Sequence, residues 1–190
     1  MTELVTPAGE QGVATLPPLT EPLDSDDPTQ KQKTLRRAMS RFPSGVTALC
    51  CLGEDGPIGM AASSFTSVSL EPPLVSVCIG RGSRTWARLA AADRIGISVL
   101  GGDQASLCAD LAARDVDRFA SADWDSSPDG AVFLRGAALW LDCRVNDVLG
   151  AGDHVIVLLE VLGTRVADEQ RAPLVFHRST LTSLGGHIDG

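Results

Sequence analysis

Gly59-Met60-Ala61-Ala62-Ser63-Ser64-Phe65-Thr66-Ser67-Val68-Ser69-Leu70-Glu71-Pro72-Pro73 decides how the rest of this chain is read. From Ser63 to Ser69, five of seven residues carry hydroxyls, with Phe65 and Val68 interrupting them. An apolar run lies ahead, and the paired prolines hand the chain to another, from Leu74 onward. Small hydroxyl residues between two strands present many donors and acceptors. They also let a flat heteroaromatic ring with carbonyls and ring nitrogens come close. The same residues suit a serine-rich loop that caps its own turns, and composition alone leaves both readings open.

Working outward, residues 46–52 read as a strand, and Gly53-Glu54-Asp55-Gly56 as a hairpin turn into a strand through Ile58 and Met60. Residues 74–79 form the next strand, a helix follows over about 84–92, and 95–100 is a fourth strand. A short helix over 104–113 places Leu107 and Leu111 one turn apart, with Asp103 as its expected N-cap. After a loop holding Phe119, Trp124 and Pro128 come two long strands, 137–148 and 155–166, joined at Gly150-Ala151-Gly152-Asp153. Residues 155–162 are apolar except for Glu160, which predicts burial on both faces, as in a barrel wall that also meets another subunit. Residues 173–177 read as a last edge strand. Towards the N-terminus a helix should begin near Thr29, with Leu35, Met39 and Phe42 on one face and Pro43 ending it. Strands linked mostly by hairpins, with a few short helices, predict a mainly β protein: an antiparallel barrel with peripheral helices.

The 190 residues suffice for one domain with a substantial core plus a tail. The net charge is −8, and six acids with no Lys or Arg fall in residues 1–28, leaving about −2 for the remainder. Residues 1–28 also hold five of the eleven prolines and no hydrophobic periodicity, so they read as a loosely attached arm ahead of a domain over 29–190. An acidic chain of this kind argues against nucleic acid or an anionic membrane as partner. Five cysteines without a C-x-x-C pair are expected as buried, reduced thiols of a cytoplasmic protein. No secretory leader and no apolar run of membrane-spanning length is expected.

Two further stretches carry chemistry. Arg81-Gly82-Ser83-Arg84-Thr85 lies between an expected strand and a helix start. A serine cap, free N–H groups and two arginines make a sound phosphate site; an ordinary cap beside two solvated arginines is the alternative. Gly80-x-Gly82-x-x-Thr85 is a partial dinucleotide fingerprint, with Asp103 some twenty residues on. It is set aside because the third glycine is missing, the helix is short and the strands come as hairpins. Asp153-His154 opens the most apolar strand, where a histidine is either a turn residue bonded to backbone or part of a site. His154, His177 and His187 stand in no metal-binding spacing, no G-x-S-x-G elbow occurs, and Trp86, Trp124 and Trp140 suit ordinary packing.

Ala62-Ser63-Ser64-Phe65-Thr66-Ser67-Val68-Ser69, followed by Glu71-Pro72-Pro73-Leu74-Val75, resembles the signature of the flavin reductase family that serves two-component flavin monooxygenases. Arg41-Phe42-Pro43-Ser44-Gly45-Val46, Arg81-Gly82-Ser83-Arg84-Thr85 and Ala151-Gly152-Asp153-His154 match in that family's order, so the resemblance covers about residues 35–178. His177-Arg178 is similar to the family's closing motif. The resemblance implies an FMN-binding split β-barrel, antiparallel and Greek-key-like, usually a homodimer. It implies an NAD(P)H:flavin oxidoreductase that reduces FMN, or FAD, with NADH or NADPH and supplies reduced flavin to a partner oxygenase.

Carried over residue by residue, the flavin contacts would come from Pro43, Ser44 and Val46, from Ser63, Ser64, Phe65, Thr66, Ser67, Val68 and Ser69, and from Arg81 and His177. Ser83, Arg84 and Thr85 would hold the flavin phosphate, and His154 would lie near the nicotinamide. No metal is implied. Where many relatives place Thr or Asn, this chain has Ala61, Ala62 and Ser63, which leaves the ring contacts open. A flavoprotein that oxidises or hydroxylates an organic substrate itself, and a non-catalytic flavin- or haem-binding split barrel, are the competing readings.

Overall fold

The computed structural model describes residues 27–114, 116–167 and 171–184. In chain order these form α1 (Pro28–Met39), β1 (Ser44–Gly45), β2 (Thr47–Gly53), β3 (Gly56–Ala62), β4 (Thr66–Leu70), β5 (Pro73–Gly80), α2 (Arg84–Leu89), β6 (Ile95–Val99), α3 (Ala105–Ala112), β7 (Trp124–Ser126), β8 (Val132–Leu134), β9 (Leu139–Ala151), β10 (His154–Val166), β11 (Leu174–His177) and β12 (Thr180–Ser183). They fall into two compact units divided between Met39 and Ser40. The first contains α1, which Asp27 starts by accepting the Thr29 N–H at 2.8 Å, with Pro28 at the first helical position. This helix buries no residue, and the predicted stripe is exposed at Leu35 and Met39. The expected arm, residues 1–28, lies almost wholly outside the described residues.

In the second unit a seven-stranded sheet runs in the order β3-β2-β6-β9-β10-β5-β4, antiparallel at every step. Three hairpins supply most of it: β2–β3, β4–β5 and β9–β10. The crossover through α2 carries the chain from β5 to β6 on the far side of the β9–β10 pair, which is the mixed hairpin-and-return pattern of a Greek key. The sheet curls around one core that draws Leu49, Val77, Ile97, Leu141, Cys143, Val157 and Leu159 from its strands and Trp86 and Leu89 from α2. A second core on the outer side joins Ala48, Cys50 and Leu100 to Leu107 and Leu111 of α3, Val132 and Leu134 of β8, and Leu174 of β11.

β2 is therefore the strand buried on both faces: Ala48 and Cys50 face one core, Leu49 and Cys51 the other. Residues 155–162, expected as a barrel wall that also meets another subunit, bury one face within the described residues. Val157 and Leu159 are fully buried, while Ile156, Leu158 and Glu160 are half-buried on an outer face that no layer among the described residues covers. Glu160 is accommodated by Arg144 across the β9–β10 pair at 2.7 Å.

Other expectations change in informative ways. The hydroxyl run is not a loop throughout, because residues from Thr66 pair with β5 as strand β4, with a bulge between Ser67 and Ser69. β11 is the middle strand of a three-stranded sheet, β1-β11-β12, not an edge; its partners lie too far away in sequence, or too close to the chain end, to be read locally. α2 ends at Leu89, three residues short of the expected Ala92, since Ala91 and Ala92 bond back three residues, in tighter turns, instead of four. Asp103 does not cap α3; Gln104 takes the N-cap position, and its side chain accepts from the Gly101 N–H and donates to the Arg135 carbonyl.

Candidate functional site

Antiparallel register brings two of the chemical stretches together. His154 lies opposite Gly80 on β5, so the β9–β10 turn arrives beside the loop that leads from β5 into α2. Gly152 makes that turn at φ +62°, a conformation glycine takes without strain. The Arg81 backbone N–H donates to the Asp153 carbonyl at 3.1 Å, and its Nε donates to the His154 carbonyl at 3.2 Å. The guanidinium lies over Gly150, where a Cβ would come within 2.8 Å of it.

His154 Nδ1 is 2.7 Å from Asp153 Oδ1. A carboxylate there accepts from Nδ1–H, which leaves Nε2 as the ring nitrogen not engaged by Asp153. A Cβ at Gly80 would meet nothing closer than that Nε2, at 3.9 Å, so the imidazole lies beside a position that carries no side chain.

Ser83 opens α2 by accepting the Trp86 N–H at 3.1 Å, and buried Trp86 and Leu89 fasten this six-residue helix to the barrel core. The Ser83 hydroxyl proton remains available to a ligand. Arg84 is exposed and Thr85 half-buried beside it. The signature reaches the same end of β5: Ser64 Oγ accepts from the Cys78 N–H at 2.9 Å and donates to the Cys78 carbonyl at 3.0 Å. A serine side chain thus replaces a strand neighbour where β4 stops pairing. Phe65 packs against the barrel core, and Ser63, Thr66, Ser67 and Val68 are exposed while Ser69 is half-buried.

A second grouping forms behind Ser63. Ser44 pairs with Phe176, which sets Pro43, Ser44 and Val46 beside the closing strand. Val46, Ser63, Phe176, Leu181 and Cys108 then line a cleft of about 160 Å3. Burial pushes the Cys108 thiol up, so it is protonated and no nucleophile. The closing motif contributes Phe176 here; His177, next along the strand, falls on the other face by alternation.

Sequence reasoning missed a basic cleft of about 430 Å3 that begins at Arg84 and Thr85 and adds Arg88, Arg114 and Arg118. The four-residue step from Arg84 to Arg88 on one helix face was the available signal. Arg118 lies in a loop, and only the fold shows its Nη1 donating to Thr85 Oγ1 at 2.9 Å. A roomier cleft of about 560 Å3, around Arg135, Trp140, Asp142 and Arg165, contains none of the motif residues.

Residues 39–185 match the family described as flavin reductase like domain. Over 152 residues the chain is 36% identical to a protein of Rhodococcus jostii (strain RHA1) described as flavin-dependent monooxygenase, reductase subunit HsaB, covering 80% of this chain and 77% of that one. It is 37% identical over 144 residues to a flavin reductase of Pseudomonas putida, covering 75% and 84%. Among solved structures, the Streptomyces globisporus NADH:FAD oxidoreductase SgcE6, in complex with NAD and FAD fragments, superposes with a TM-score of 0.79 at 35% identity, covering 86% of this chain and 98% of that one. With its split barrel and four motif segments in order, this chain belongs to the flavin reductase like domain family.

Proposed function

We propose that the chain is an NAD(P)H:flavin oxidoreductase that reduces FMN or FAD and supplies the reduced flavin to a separate oxygenase. One observation carries this reading: the hydroxyl-bearing signature, the Arg81–Thr85 loop and the Asp153-His154 turn converge at the end of β5. The residues present fit a flavin. Exposed hydroxyls at Ser63, Thr66 and Ser67 offer hydrogen bonds to ring carbonyls and nitrogens, and Ser83, Arg84 and Thr85 offer donors and charge to a phosphate. Gly80, which carries no side chain, lies next to His154 Nε2. When bound, the flavin supplies N5 as the acceptor of hydride from nicotinamide C4.

The chain's own contribution is alignment and charge. Arg81 pins the turn that presents His154, and Asp153 fixes the imidazole tautomer, so Nε2 can accept a hydrogen bond that orients the nicotinamide. Ser64, whose hydroxyl is engaged by Cys78, shapes the rim rather than donating to the ring. Val46 and Phe176 back the Ser63 side of the site.

A homodimer is part of the proposal, supported by the exposed Val68, Leu70, Val148, Leu149 and Leu162 beside the half-buried outer face of β10. So is a reducing cytoplasmic setting, supported by five free cysteines of which four are buried. Among the described residues no helix is long and apolar enough to cross a membrane. Residues 1–28 are proposed to be an arm outside the catalytic domain, so their deletion should leave flavin reduction nearly unchanged; loss of folding or activity on deletion would place them in the domain.

The test is steady-state NADH and NADPH consumption with free FMN or FAD in excess. A flavin reductase turns over many equivalents of free flavin without any organic substrate. No consumption with either flavin, or consumption that needs an organic substrate, would overturn the proposal.

A further inference from the structure

The cleft between the β7–β8 hairpin and the β9–β10 pair has no part in the flavin reading. At about 560 Å3 it falls within the range of small-molecule sites, roughly 300–1,000 Å3. The β9–β10 register sets Trp140 opposite Arg165 and Asp142 opposite Gly163, so these groups share one face. Trp140 is held by its Nε1, which donates to the Leu134 carbonyl at 2.7 Å. The Arg165 guanidinium lies over the indole, 5.2 Å from the ring centroid. Phe133 joins the indole in an aromatic wall, and Gly136 and Gly163 add no side chains to fill the space beside it.

Two opposite charges in this cleft are uncommitted. Asp142 is half-buried, and its Oδ1 is buried with no hydrogen-bond partner. A carboxylate withdrawn from water without a donor is costly, and a cation in the cleft offsets that cost. Arg165 makes no ion pair among the described residues. Asp125 is within electrostatic reach of it, but Arg135 holds both Asp125 oxygens, at 2.6 and 2.9 Å. Asp142 and Arg165 are diagonal neighbours across the strand pair, roughly 7–8 Å apart at the backbone, and do not pair with each other. An ammonium and a carboxylate carried on one carbon can bridge such a gap, the ammonium at Asp142 and the carboxylate at Arg165.

We propose that this cleft binds a free α-amino acid with an aromatic side chain. Asp142 takes its ammonium group, Arg165 takes its carboxylate, and Phe133 and Trp140 pack against its ring. The cleft lies towards the opposite end of the β9–β10 hairpin from the Asp153-His154 turn, so this site is separate from the one assigned to flavin and nicotinamide.

L-phenylalanine is the probe, titrated by calorimetry into the full-length chain. Phenethylamine, which lacks the carboxylate, and 3-phenylpropionate, which lacks the ammonium, are titrated beside it. L-phenylalanine should bind with a Kd of about 1 mM or below, at least about tenfold more tightly than either analogue. Asp142→Asn should weaken L-phenylalanine and phenethylamine about tenfold and leave 3-phenylpropionate within about threefold. Arg165→Gln should weaken L-phenylalanine and 3-phenylpropionate about tenfold and spare phenethylamine. Arg165 is exposed and the Asp142 charge is unpaired, so neither variant should melt below the wild type. Should one do so, the comparison of the three probes on the wild type decides alone. The FMN Kd should stay within about threefold in both variants. No binding of L-phenylalanine at about 10 mM, equal affinities for the three probes, or unchanged affinities in folded variants would each overturn the proposal. Joint loss of FMN and L-phenylalanine in a folded variant would make the cleft part of the flavin site and overturn it as well.

Discussion

His154 holds its ring through Nδ1 to Asp153, with Nε2 beside Gly80. If that atom orients the nicotinamide, His154→Ala should raise the NAD(P)H KM or slow hydride transfer while the flavin Kd moves by no more than about threefold, well under 1 kcal/mol. Stopped-flow reduction is the appropriate measurement, because slow flavin release can mask the hydride step in turnover. Joint weakening of both ligands with a lower melting temperature would make His154 a turn residue only. Arg84 gives a parallel case: Arg84→Ala should weaken FMN by roughly 1.5–3 kcal/mol and leave riboflavin, which has no phosphate, almost untouched. Equal losses for the two flavins would place the phosphate elsewhere. At this scale the sequence named residues but not their duties. Ser64 was legible as part of a hydroxyl run, yet its bonds to Cys78 depend on a β4–β5 pairing that stops short, which no local pattern records. Arg118 was unreadable for the same reason, since its three acceptors come from three separate segments.

Elements were legible where periodicity and turn chemistry agree over a short span. The β2–β3 hairpin closes at Gly53 and Gly56 as Gly53-Glu54-Asp55-Gly56 predicts, and β9 and β10 meet at the glycine-rich turn before His154. They were misread where burial is imposed from outside. β2 is covered on both faces because β8, α3 and β11 pack over its outer side, and none of those is near it in sequence. β10 is more apolar and has no such cover among the described residues, so its outer face is left for another subunit in the proposed dimer. Gly96 on β6 shows how tight the outer layer is: a Cβ there would lie 2.1 Å from the Val132 carbonyl oxygen of β8, a backbone atom that cannot swing aside. Gly96→Ala should therefore cost roughly 1–3 kcal/mol or more through forced separation of β8 from the sheet. Gly45→Ala, where a Cβ would meet nothing within 4 Å, is the matched control and should change the urea midpoint little. Similar midpoints for the two variants would mean that the β7–β8 hairpin is only loosely seated.

For the whole molecule, composition and the burial of four of the five cysteines, all but the exposed Cys78, together make a titration that can be read cleanly. The chain has no tyrosine, and its only two lysines, Lys31 and Lys33, lie on α1, which buries nothing. Above pH 8.5 the side chains that distinguish folded from unfolded barrel are thus the cysteines, because arginine stays charged. Burial pushes all four buried thiols up from an ordinary 9.0, Cys143 to about 12 with Asp142 adding to the effect. A folded pKa above the unfolded one means that the native state keeps a proton which the unfolded chain releases. Below pH 9 both states hold it and stability is whole. From pH 9 upward the unfolded chain ionises first, so stability falls with rising pH, by about 1.4 kcal/mol per pH unit for each proton retained. For Cys143 the decline should level off near pH 12, where the native thiol also ionises. Urea midpoints measured under reducing conditions between pH 8 and 11 should be flat at first and then drop. Cys143→Ala should make that drop shallower by one proton's worth, whatever small packing loss it causes at neutral pH. A wild-type midpoint that stays level to pH 11 would mean that water reaches these thiols in the native barrel and that the two cores are far looser than their side chains suggest.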